Sequence, residues 1–199
     1  MTSNIGSAKK VAITAISATL YAIFFFLSAL IAVPNFTILY LPAILLGIFP
    51  LWFGWSGLIG CMIGAFIGGA FIEGLGFLAI FESVTAFIIY SLNWLLIPSK
   101  VTERKEKRDL LILIGAYAVS LFAGTSYILW QYTVLPALFT AKVAEAILLP
   151  TYGLNLTIEA IICPILVRTL SPKLRSWGVC SLTFNEWRAK RKKPALIKP

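Results

Sequence analysis

The stretch LPAILLGIFPLWFGWSGLIGCMIGAFIGGAFIEG, Leu41–Gly74, carries no charge before Glu73. As one α-helix it would be roughly 50 Å long at 1.5 Å per residue, against a bilayer hydrocarbon core of about 30 Å. Pro50 and the Gly54-Trp55-Ser56-Gly57 cluster interrupt it with helix breakers. The pattern predicts two helices, at 40–54 and 57–73, joined by a tight turn. Trp52 and Trp55 are expected at a membrane–water interface there, because amphipathic rings favour the headgroup level.

Outward from this stretch the chain stays apolar. The uncharged run reaches back to Val11, 59% of the 199 residues are hydrophobic, and mean hydropathy is +0.90. No water-soluble core could cover such runs, so an all-α integral membrane protein is expected. MTSNIGSAKK leads into an apolar segment too long for a signal-peptide core, so no cleavable signal is expected. Further helices are read at 9–32, 76–97, 110–139 and 143–170, bounded or broken by Pro34, Pro98, Pro136, Pro150 and Pro164. The prediction is a compact bundle of six transmembrane helices over residues 1–172, followed by a basic cytoplasmic tail, 173–199.

Charge sets the expected orientation. With both termini cytoplasmic, every one of the 17 basic residues except Lys142 falls inside, in accord with the positive-inside rule. The net charge of +9 then reflects topology and contact with anionic lipid in a cell membrane, and no nucleic-acid partner is expected. The tail mixes Trp177, Phe184 and Trp187 with Arg188, Lys190, Arg191, Lys192 and Lys193. It reads as a surface-lying anchor, or else as a docking arm for a cytoplasmic partner. Cys61, Cys163 and Cys180 are scattered, so no disulfide framework is expected. The absence of histidine disfavours zinc sites and histidine-based catalytic groups, and leaves any proton relay to carboxylates. No metal, cofactor or enzymatic activity is expected.

Small residues fall on regular faces. Gly60, Gly64 and Gly68 are four apart, a spacing that lets two helix backbones approach closely. In the first helix, Ala8–Ala12 and Ala18–Ala22 repeat the same spacing, followed by Phe24, Phe25 and Phe26. Each face suits packing within the bundle or docking of another membrane protein.

With these features the chain resembles the S components of energy-coupling factor transporters, small membrane proteins of six helices with both termini inside. The resemblance rests on the Ala-x-x-x-Ala pattern of the first helix, on Pro42-Ala43, and on IFPLWFGWSGLIGCMIGAFIGG, Ile48–Gly69. It covers most of residues 8–170; the basic tail has no counterpart in it. It implies a non-enzymatic subunit that captures a vitamin or similar micronutrient at the outer face. It also implies a transmembrane coupling subunit and two ATP-hydrolysing subunits as partners, with Ala18 and Ala22, and Ala8 and Ala12, as the contact with the coupling subunit. The chain has no Gly-x-x-x-x-Gly-Lys motif, so ATP would be hydrolysed by partners.

Ionisable groups within a bilayer are costly and mark candidate sites. Glu82, Thr85 and Asn93 share one helical face, as do Glu145, Tyr152 and Glu159 with Asn155 nearby. Glu73 ends the glycine helix, Tyr127, Trp130 and Gln131 cluster on the fifth helix, and Asn35 and Tyr40 flank the second. The candidate substrate site is therefore Asn35, Tyr40, Glu73, Glu82, Tyr127, Trp130, Gln131, Glu145, Tyr152 and Asn155. Aromatic rings with convergent amides and carboxylates suit a small ring compound. The excess of carboxylates over Lys142 points to a cationic or neutral nitrogen heterocycle. The competing reading is an autonomous secondary transporter or channel that uses intramembrane carboxylates. That architecture is commonly built from inverted repeats, and none is evident here.

Overall fold

The computed structural model describes residues 6–31, 39–98, 101, 107–134 and 141–180. Among these it is all-helical, with α1 Ser7–Leu30, α2 Pro42–Glu73, α3 Phe77–Leu96, α4 Lys107–Val134 and α5 Ala141–Ser176. Each has a stretch long and apolar enough to cross a membrane. Their outward faces carry large apolar side chains such as Val11, Phe71, Leu111, Phe122 and Ile165, as a lipid-facing surface requires.

The expected six helices are five elements. The segments predicted at 40–54 and 57–73 are both part of α2, with no loop between them; the break is Gly54 alone, at φ 49° and ψ −130°. That backbone region is open to glycine and strained for other residues. The chain folds back there. Tyr40, just before α2, stacks edge-on against Phe25 at 6.0 Å, and Gly68, near the end of α2, also lies against Phe25. The Gly54 carbonyl accepts a 2.6 Å hydrogen bond from the Tyr90 hydroxyl. Pro42 opens α2 at a position where its missing N–H costs nothing.

The second arm of α2 is clamped between α1 and α3. Thr14, Ala18 and Phe25 of α1 meet Gly60, Gly64 and Gly68 in turn, so these two run in the same direction. A Cβ at Gly60 would lie 2.5 Å from the Thr14 carbonyl oxygen, and one at Gly64 2.5 Å from that of Ala18. The glycines thus serve close packing inside the chain. α3 runs the opposite way, with Ala79 against Gly69, Ser83 bonded to the Met62 carbonyl and Tyr90 against Gly57. Asn93 joins three helices, donating to the Leu46 carbonyl at 3.2 Å and accepting from Ser120 at 2.8 Å.

Trp52 departs from expectation. It is buried, and its indole N–H donates to Ser171 Oγ at 2.8 Å, so it fastens the first arm of α2 to α5 rather than sitting at a lipid interface. Trp55 is about half exposed and packs edge-on against Trp94. α5 outruns its predicted end and stops at Gly178, whose φ of 62° allows the Val179 N–H to reach Leu174 O and the Gly178 N–H to reach Arg175 O. Lys9 of α1 donates to the carbonyls of Trp177 and Gly178 at 3.1 and 2.8 Å, satisfying acceptors at the negative end of that helix. Lys9→Met should lower the thermal midpoint by at most about 2–4 °C, an effect that shrinks further in high salt. A larger drop in a melting series would show that this contact holds more than a helix end.

Candidate functional site

The polar groups converge at the end of the bundle opposite Lys9. The Tyr21 hydroxyl of α1 donates to the Tyr40 hydroxyl, which donates to Glu82 Oε2 of α3 at 3.3 Å. The Tyr40 backbone N–H donates to Asn155 Oδ1 of α5 at 2.8 Å. The Leu41 N–H donates to Ser28 Oγ of α1 at 2.9 Å. Four segments therefore meet at one residue, Tyr40. The reason is local: Tyr40 and Leu41 precede the first helical turn, where backbone N–H groups have no intrahelical acceptor and must find side chains.

Depth follows from the fold. The first arm of α2, residues 42–53, is about 18 Å long by the helical rise, much shorter than α1. It begins near Ser28, which holds the Leu41 N–H, and from there the Tyr40 ring reaches back past Phe25 to Tyr21, about two helical turns deeper on α1. The cluster is thus recessed within the bundle. Tyr21 is fully buried and Asn155 nearly so, while Glu82 is partly accessible.

Of the ten predicted site residues, the structure brings Tyr40, Glu82 and Asn155 into direct hydrogen-bond contact. Tyr127 and Trp130 lie on α4, stacked on each other at 5.7 Å and 25°, with Phe81 of α3 edge-on to Tyr127 at 6.4 Å. Phe81 precedes Glu82 on α3, and Trp130 is about half exposed. Gln131 is buried, and its Nε2 has no hydrogen-bond partner among the described residues. Tyr152 turns away to α4, donating to the Ala118 carbonyl at 3.0 Å and packing on Phe122. Asn35 and the side chains of Glu73, Glu145 and Lys142 lie outside the described residues. Thr85, expected on the Glu82 stripe, bonds back to its own helix at Phe81 O.

Sequence reasoning missed Tyr21, Phe25 and Ser28. They lie at i, i+4 and i+7 on the face of α1 that also buries Ala18 and Ala22. That spacing was the available signal.

The alanine faces separate. Ala18 and Ala22 are buried within the chain, Ala18 directly against Gly60 and Gly64. Small size here serves the approach of α2. Ala8 and Ala12 are exposed, and Ala15 continues their stripe.

No protein-family model, curated protein or solved structure matches the chain.

Proposed function

We propose that the chain is the substrate-binding membrane subunit of an energy-coupling-factor transporter, capturing a cationic or neutral nitrogen heterocycle for uptake driven by ATP-hydrolysing partners. One observation carries this reading: a recessed carboxylate, Glu82, held by Tyr40 and bordered by an amide and aromatic rings, where four segments converge. An oriented acceptor beside stackable rings suits an N–H-bearing or cationic ring.

On this reading the short first arm of α2 leads the chain back toward the inner face and the second arm crosses outward, with both termini cytoplasmic. The Lys9 end, rich in Lys10, Lys173 and Arg175, is then the inner face, and the cluster opens outward. The partner surface shifts to the outer face of α1 around Ala8 and Ala12, beside the transmembrane coupling subunit. A single cysteine introduced as Arg104→Cys should react with a membrane-impermeant maleimide only after the inner face is opened. Labelling in intact cells would overturn this orientation.

The decisive experiment is mass spectrometry of small molecules co-purified with the chain, followed by reconstitution in vesicles. A bound heterocycle, with uptake only when the coupling and ATP-hydrolysing subunits are added, is the expected outcome. Uptake by the chain alone would establish an autonomous carrier instead.

A further inference from the structure

Glu159 lies at the middle of α5, one helical turn beyond Asn155. It is fully buried, and neither carboxyl oxygen has a hydrogen-bond partner among the described residues. The buried Tyr117 hydroxyl on α4 likewise has none among them. Asn93 earns its burial by joining helices; Glu159 joins none, so a pinning role does not account for it.

The elements packed against α5 are α2 and α4. From α4, Tyr117 lies within Coulombic range of Glu159, and from α5 itself Tyr152 and Cys163 do. α2 faces this region with Gly47 and Ile44, neither of them titratable. No basic side chain among the described residues acts on the carboxyl. An ionised carboxylate in that setting would be uncompensated. Hard metal cations take six or more oxygen ligands, well beyond one carboxyl and a phenol. A proton needs a single oxygen.

We propose that Glu159 is a proton-binding site: the closed bundle carries it as the neutral acid. The proton leaves only in a state that admits water or a ligand's donor groups to mid-bundle. Proton binding and closure are then linked, since each favours the same state. This inference does not depend on which molecule occupies the Tyr40 cluster.

Infrared spectroscopy of the full chain in lipid nanodiscs, in H2O and D2O at neutral pH, tests it. The expected spectrum contains the carbonyl stretch of a protonated carboxylic acid, and Glu159→Gln removes the intensity of one such group. Glu159→Asp retains an acid and should move the band rather than delete it, which keeps the test sharp if the Gln variant folds poorly. A wild-type spectrum with no acid band at neutral pH, or a band unchanged by both substitutions, overturns the proposal.

Discussion

A chain carrying Gly60→Val and Gly64→Val together is expected to lose its native α1–α2 packing and to fail to accumulate as a folded protein. A Cβ at Gly60 meets the Thr14 carbonyl oxygen at 2.5 Å and Ser17 Cβ at 2.6 Å; at Gly64 it meets Ala18 O at 2.5 Å and Tyr21 Cβ at 2.7 Å. Carbonyl oxygens of a neighbouring helix cannot rotate aside as a flexible side chain can, so α1 itself must move. Overpacking a well-filled site costs about 1–3 kcal/mol, occasionally more, and two such sites on one seam amount to a large part of a typical folding free energy of about 5–15 kcal/mol. Gly115→Ala is the matched control. Nothing lies within 4 Å of its Cβ position, and alanine favours a helix over glycine by about 1 kcal/mol. Thermal unfolding of the purified proteins separates the two cases. A double valine variant as stable as the parent would refute the seam.

The second large effect concerns ligand affinity. If the chain binds a nitrogen heterocycle as proposed, Glu82→Gln should weaken that binding by about 1.5–3 kcal/mol, the typical worth of a hydrogen bond to a charged group, or roughly 10- to 150-fold in Kd. The fold should survive, because the substituted side chain keeps an oxygen for the Tyr40 hydroxyl and a neutral amide is easier to bury than a charge. Titration calorimetry measures the loss directly. Equal affinity in the two proteins would remove Glu82 from the site and with it the preference for a cationic or N–H-bearing ligand.

The fold was legible where chain length and backbone chemistry decide it. Leu41–Gly74 is too long for one crossing, and Gly54 sits where the chain turns. The element count was not legible, because a single glycine makes the turn and helical structure resumes at the next residue. Faces were harder to read than breaks. The interfacial preference of tryptophan predicted lipid for Trp52, yet the decisive partner is Ser171, 119 residues away and invisible to local pattern. The alanines are ambiguous in sequence for a related reason. Small residues at Ala8, Ala12, Ala18 and Ala22 are equivalent in composition, and only the register of Gly60 and Gly64 against α1 says which of them turn inward. Within the site, Tyr40, Glu82 and Asn155 were accessible to reasoning because polar groups in apolar helices are conspicuous. Tyr21 is legible only through its i, i+4 and i+7 spacing with Phe25 and Ser28, which marks a buried face but not a polar contact with Tyr40.

The glycine seam also governs how α1 can move. Over Gly60 and Gly64 the α1 backbone itself, at Thr14 O and Ala18 O, lies against the glycines, so the contact acts as a rail more than a row of teeth. What stops travel along the rail lies at the ends. Lys9 catches the last carbonyls of α5 at one end, and Ser28 and Tyr21 catch Leu41 and Tyr40 at the other. The second stop is built from the same Tyr40 that holds Glu82. Displacing the Tyr40 hydroxyl would release Tyr21 and so undo one of these holds on α1.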